Sequence, residues 1–277
     1  MAGFRIASNT TALTAYNALS KLNAQTEKAQ LRLATQKRIN SVSDDTSGFS
    51  IGKSLEAKAT LMKSAQKNVG SAKDMLATAE GQLTSIRDQI TDIKAKIADS
   101  GNAAAGLNSL QLDIKALADE IGNSISNTKF NDTNLLGTTA ASGFAFQTGA
   151  ASTETLTIDY ADNIASTYNA SEAEVNALTS SAARADFTAL ETNLNSFETA
   201  VSASLGKIGN YMQRLDAKDD FLNTAIANSE ASVSRLFDAD MAMEQLNATK
   251  SSIGGQAATA MVAQLNFAPQ QVMQLFG

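Results

Sequence analysis

Apolar residues recur in alternating steps of four and three from Ile51 to Ile97, the clearest local order in the chain. Positions 51, 55, 58, 62, 65, 69, 72, 76, 79, 83, 86, 90, 93 and 97 hold Ile, Leu, Lys, Met, Ala, Val, Ala, Leu, Ala, Leu and then four Ile. Thirteen of these fourteen are apolar in a chain that averages 43%. Sustained 3–4 spacing marks the seam of a coiled coil. It predicts one helix from Asp45 to Ala98, roughly 80 Å long at ~1.5 Å per residue. Lys58, the exception, is expected to carry its charge out past its own stem. Upstream, residues 4–35 read as a first helical stretch, followed by a polar break at Asn40–Asp45 whose short side chains suit turns and helix caps.

Ser100-Gly101-Asn102 ends the long seam. Leu107, Leu110, Ile114, Leu117, Ile121 and Ile125 then mark a shorter amphipathic helix, which a loop this short folds back antiparallel on the first. From Asn127 to Tyr160 the period drops to two, at Phe144/Phe146 and at Leu156/Ile158/Tyr160, which predicts a β-hairpin. The Ser/Thr/Asn-rich stretch 161–181 reads as irregular surface with one short helix around Glu172–Leu178. A last long helix follows through Phe187, Leu190, Leu194, Phe197, Val201, Leu205, Ile208, Met212, Leu215, Leu222 and Ile226. It carries a stutter at Val201–Leu205 and a polar intrusion at Asp219. The fold class is therefore mainly α: a long antiparallel coiled-coil helical bundle with a small β-hairpin, its terminal helices pairing as a separate coiled coil.

The two ends differ from the middle. Ser251–Gly277 and Ile6–Ser20 contain no charged residue, yet both are too polar for a membrane span. The tail is apolar on more than one side, and such a helix must be buried by something. The ends are expected to meet, with copies of the same chain covering their excess apolar surface. The candidate packing residues are Ile6, Leu13, Leu19, Leu22, Ile253, Met261, Val262, Leu265, Val272 and Leu275.

Composition narrows the chemistry. With 22 basic and 28 acidic residues the net charge is −6, which argues against nucleic-acid binding. The chain has no Cys and no His, so thiolate chemistry, the commonest general base and the commonest metal ligand are all absent. Asp44-Asp45, Asp219-Asp220 and Asp238/Asp240 are the only paired carboxylates that merit attention, and caps or surface ion pairs account for them. Gly52-Lys53-Ser54 lacks the upstream glycine of a P-loop. No catalytic, metal or cofactor site is expected. A single Pro, Pro269, leaves long helices uninterrupted.

Several segments resemble those of bacterial flagellins. Arg38-Ile39-Asn40-Ser41-Val42-Ser43-Asp44-Asp45 is similar to their RINSAKDD, Thr78-Ala79-Glu80-Gly81 to their TAEG, and Lys129-Phe130-Asn131-Asp132 with Leu135-Leu136-Gly137 to their FNGTKLL. Phe146-Gln147-Thr148-Gly149-Ala150 resembles FQVGA, Ser234–Asp240 resembles SRIRDTD, and Ala258–Gln264 with Pro269–Val272 resembles GTAMLAQ and PQQVL. The matches are collinear and leave only about 160–185 without a counterpart. Gln36-Lys37 departs from the family's Gly-Leu, and Gly254-Gly255 from its Leu-Gln.

The resemblance implies a structural subunit polymerising into an extracellular filament for swimming motility, without the family's outer domains. It divides the chain into an N-terminal filament-core helix (1–43), an N-terminal rod part (44–180), a C-terminal rod helix (181–237) and a C-terminal filament-core helix (238–277). It implies other copies of the chain, an export chaperone, and cap and hook-junction proteins as partners. Export would proceed without signal-peptide cleavage, and no membrane insertion is expected. Flagellins detected by the vertebrate innate receptor read LQRVRELA and IQAEI in the rod. Counted from the TAEG anchor, their contact residues correspond to Asp92, Lys96 and Asp113, where an arginine has become an acid and an apolar residue a charge. Receptor binding is therefore expected to be weak or absent. A hook–filament junction protein and a secreted coiled-coil effector remain as alternatives at this point.

Overall fold

The computed structural model describes residues 10–101, 106–137, 143–161, 164–178 and 184–276, with side chains of the last stretch covered from 186 to 265. Six helices are described: α1 (Thr10–Thr35), α2 (Thr46–Asp99), α3 (Leu107–Asn127), α4 (Ile164–Ala177), α5 (Arg184–Phe237) and α6 (Met241–Phe276). Between α3 and α4 come strands β1 (Lys129–Phe130), β2 (Thr133–Asn134), β3 (Phe144–Gln147) and β4 (Thr155–Ile158). The chain forms two compact units: one spans Lys58–Ala227, and the other joins the residues up to Ala57 with those from Asn228 onward. Both divisions fall inside the long helices α2 and α5.

The central unit holds the apolar core. Every seam position of α2 from Met62 to Ile97 is buried. So are Phe187, Leu190, Leu194, Phe197, Val201, Ile208, Leu215, Leu222 and Ile226 of α5. Burying each Leu, Ile or Phe is worth roughly 1.5–3 kcal/mol before ordering entropy is set against it. Pairings between α2 and α5 run antiparallel. Lys73 binds Asp216 at 2.8 Å and Asp219 at 3.3 Å, and Lys94 further along α2 meets Glu198 earlier on α5. Asp219, the polar intrusion, also accepts a hydrogen bond from Gln66 Nε2 at 3.0 Å, and Gln66 and Lys73 together hold its carboxyl below the usual range.

Three features of the seams differ from the sequence pattern. At the start of α2 the buried positions are Gly48, Gly52 and Ala59, while Ile51 is 52% exposed and Lys58 lies outside the seam. Small residues carry the inward face there, so an apolar count alone settles on the wrong phase. In α5 the buried position after Val201 is Ser204, with Leu205 only half-buried. The 3–4 spacing therefore runs on without a stutter. Lastly, α4 is a helix of 14 residues whose Ile164, Tyr168, Ser171 and Val175 are buried. A serine on the inward face masks its period in the sequence. Tyr168 Oη donates to the Ala118 carbonyl of α3 at 3.0 Å, and its ring lies 5.9 Å from that of Phe197.

The expected hairpin is β3–β4, antiparallel, with Phe144 opposite Ile158 and Phe146 opposite Leu156. A second, two-residue ladder joins β1 to β2. Its turn residues Asn131 and Asp132 have φ of 49° and 62°, the left-handed pair of a type I′ hairpin.

Candidate assembly face

The terminal unit is built around α1 lying antiparallel to α6. Arg32 Nη1 meets Glu244 Oε1 at 3.0 Å near one end of the pair. Further along, a Cβ on Gly254 would stand 3.3 Å from Leu22, so this glycine marks a close approach of the two helices. The inward positions on α1 are Ala15, Leu19, Leu22, Thr26, Ala29 and Leu33. On α6 they are Glu244, Ala248, Ser251, Gly255, Ala258, Val262 and Leu265. Both sets keep the 3–4 spacing of a coiled coil.

Local chemistry fixes how the chain enters these helices. The Asp44 carboxylate takes Lys28 Nζ at 2.7 Å and the backbone N–H groups of Asn40 and Ser41 at 3.1 Å each. The Lys28 ammonium first, and then the Asn40 N–H, holds this carboxyl well below the usual carboxylate range. Asp45 Oδ1 caps the start of α2 by accepting from Gly48 N at 2.8 Å. Asp240 Oδ1 caps α6 by accepting from Ala242 N and Met243 N at 2.9 and 3.1 Å. Beside them, Arg38 N donates to Phe237 O and Ala239 N to Gln36 O. Phe237 is buried edge-on to Phe49, and its ring occupies the space a Cβ on Gly52 would need. Gln36, directly after α1, has φ 59°, a left-handed backbone that favours glycine.

Among the described residues, the large apolar side chains between the terminal helices, such as Leu19, Leu22, Val262 and Leu265, are only half-buried. Among the described residues of α1 and α6, the fully buried side chains are Ala29, Glu244 and Ser251. Among the described residues the exposed large apolar side chains number thirteen, and eight of them lie on these two helices: Leu13, Tyr16, Leu31, Met241, Met243, Leu246, Ile253 and Met261. Met243, Leu246, Ile253 and Ala260 follow a 3–7–7 spacing on an exposed face of α6, where a solvated helix would be charged.

The ten candidate packing residues therefore divide. Leu19, Leu22, Val262 and Leu265 are half-buried in the seam between α1 and α6. Leu13, Ile253 and Met261 face outward, 60%, 62% and 59% exposed. Ile6 and the side chains of Val272 and Leu275 lie outside the described residues. Sequence reading missed Tyr16, Leu31, Met243 and Leu246. The seven-residue step from Leu246 to Ile253 was a signal that could have found the last. Elsewhere, Lys96 and Asp113 are brought together at 2.8 Å, with Asp92 exposed one turn before Lys96 on α2.

A terminal helix pair that carries, among the described residues, eight of the thirteen exposed large apolar side chains defines a class of protein completed by association. Comparison with known proteins agrees. Residues 6–141 match the bacterial flagellin N-terminal helical region and residues 192–276 the C-terminal helical region. A flagellin of Bacillus subtilis is 30% identical, covering 98% of this chain and 99% of its own length. A flagellin of Halalkalibacterium halodurans is 29% identical over 91% of this chain and 92% of its own. The flagellar filament 41 kDa core protein of Borreliella burgdorferi is 24% identical over 96% and 98%. The chain belongs to the bacterial flagellin family. It is a structural filament subunit, and the junction-protein alternative is not favoured.

Proposed function

We propose that this flagellin assembles by burying the outward face of its terminal helix pair against the terminal helices of neighbouring copies. The observation that carries this is that, among the described residues, eight of the thirteen exposed large apolar side chains lie on α1 and α6, whose buried residues are Ala29, Glu244 and Ser251. Each copy offers one face and receives another, and a contact of this heterologous kind propagates as a helical filament when its rotation does not close. The central unit supplies the stability of the monomer. On assembly the terminal pair exchanges its remaining conformational freedom for buried apolar surface. The inward residues Leu19, Leu22, Val262 and Leu265 set the helix pair, and Leu13, Ile253 and Met261 contact neighbours, joined by Ile6, Val272 and Leu275.

The filament stands outside the cell. Export proceeds through the flagellar secretion channel without signal-peptide cleavage, with an export chaperone, the cap and the hook-junction proteins as transient partners. The role is structural and non-enzymatic. In the family's receptor-contact positions, Asp92 is an acid where an arginine is needed, and Lys96 is held by Asp113, so innate receptor activation is weak or absent. Electron microscopy of the purified chain after seeding, with and without residues 251–277, tests the assembly face. Filaments from the full chain and none from the truncated one are expected, and filaments from both would overturn it.

A further inference from the structure

The terminal helix pair holds one cavity, of about 560 Å³, lined among others by Leu22, Lys28, Arg32, Glu244, Lys250 and Gly254. Its charged groups are unbalanced. Lys28 is taken by Asp44 and one edge of Arg32 by Glu244. The Nε of Arg32 is buried and has no hydrogen-bond partner, an unusual state for a donor on a charged group. Lys250 is exposed at the cavity wall, and among the described residues it forms no ion pair. What remains is an unused guanidinium edge beside a free ammonium, in a concavity whose wall also carries Gln25, Asn247 and Leu22. This suits a carboxylate, which accepts from a guanidinium edge along two oxygens.

On the helix pair itself the choice of carboxylate is narrow. In α1 the only acidic residue is Glu27, and in α6 the only one is Glu244, which is already buried against Arg32. Glu27 is exposed, does not line the cavity, and among the described residues is engaged by no ion pair of its own chain. Resting on the reading that terminal helices pack against those of neighbouring copies, we propose that the Glu27 carboxylate of one copy enters the cavity of the next and pairs with Lys250 and the free edge of Arg32. The contact is polar and directional in an interface otherwise made of Leu, Ile and Met. It selects one axial register among apolar packings of similar energy, as a polar group does within a coiled-coil seam.

Charge exchange tests this without disturbing the monomer, because Glu and Lys are equally good helix formers at exposed positions. The variants are Glu27→Lys, Lys250→Glu and the two combined, with Lys21→Glu, another exposed cation of α1, as control. Each is read by critical concentration in seeded polymerisation at low salt, with helicity and melting of the monomer checked by circular dichroism. Each single variant of the pair is expected to raise the critical concentration roughly three- to tenfold. The combined variant restores the contact with position 250 but not that with Arg32, and returns the critical concentration part of the way. An equimolar mixture of Glu27→Lys and Lys250→Glu polymerises better than either alone, because the exchanged charges meet between copies. Lys21→Glu does not rescue Glu27→Lys. Single variants that polymerise like the unaltered chain, or a mixture no better than its components, would overturn the pairing. Failure of the unaltered chain to polymerise would instead sink the assembly reading and the pairing with it.

Discussion

Replacing Ile253 by Ala separates assembly from folding. Ile253 is 62% exposed at the rim of the concavity between α6 and α1, so the monomer gains little from its outer carbons. Alanine is the better helix former, and a surface change of this kind stays within about 0.5 kcal/mol of the starting stability. In the filament the same side chain is covered. The substitution removes three carbons worth about 0.8 kcal/mol each when fully buried. Scaling by the part still exposed in the monomer leaves about 1.5 kcal/mol per subunit. That corresponds to roughly a tenfold rise in critical concentration. The assay is the unpolymerised concentration left in the supernatant after seeded assembly and sedimentation, alongside a thermal melt of the monomer. An unchanged critical concentration would refute intersubunit burial of this face. So would a monomer melt that falls in parallel, because Ile253 would then belong to an intramolecular core.

Other substitutions probe the two units separately. Gly52→Ala places a methyl against the buried Phe237 ring and is expected to destabilise the terminal unit by about 1–3 kcal/mol, read by a thermal melt. Gln36→Gly relieves a left-handed residue at φ 59° and should raise stability by up to about 1 kcal/mol, read the same way. Tyr168 is pushed up to about 12, by burial first and then by Glu172 and Asp119. Its unfolded form loses the proton near pH 10 while the folded form keeps it. Stability is thus intact below pH 10 and falls as pH rises from 10 towards 12. Denaturant titrations across that range should show the slope, and Tyr168→Phe should reduce it. For the receptor positions, purified monomer is expected to leave a receptor reporter cell near background, and strong signalling would contradict the reading of Asp92, Lys96 and Asp113.

Long-range order was legible in the sequence because it is written in one variable, the spacing of bulky apolar side chains. Met62–Ile97 and Phe187–Ile226 show their buried faces by period alone, and the two-residue period of β3 and β4 shows the hairpin. The charge-free ends likewise announced a surface in need of cover. Where small or polar residues face inward, the pattern loses its signal. Gly48 and Gly52 displace Ile51 from the seam, Ser204 replaces Leu205, and Ser171 hides the inner face of α4. Gly52 is buried because the Phe237 ring fills the space beside it, a fact about two segments far apart in the chain.

The division of the terminal residues was likewise a tertiary matter. Composition placed Leu19, Leu22, Val262 and Ile253 in one group. Only the antiparallel register of α1 on α6, pinned by Arg32 on Glu244 and by Leu22 against Gly254, turns the first three inward and Ile253 out. Apolar content tells how much surface must be buried. Which side of a helix is covered by its own chain depends on rotation about the helix axis, which composition does not carry.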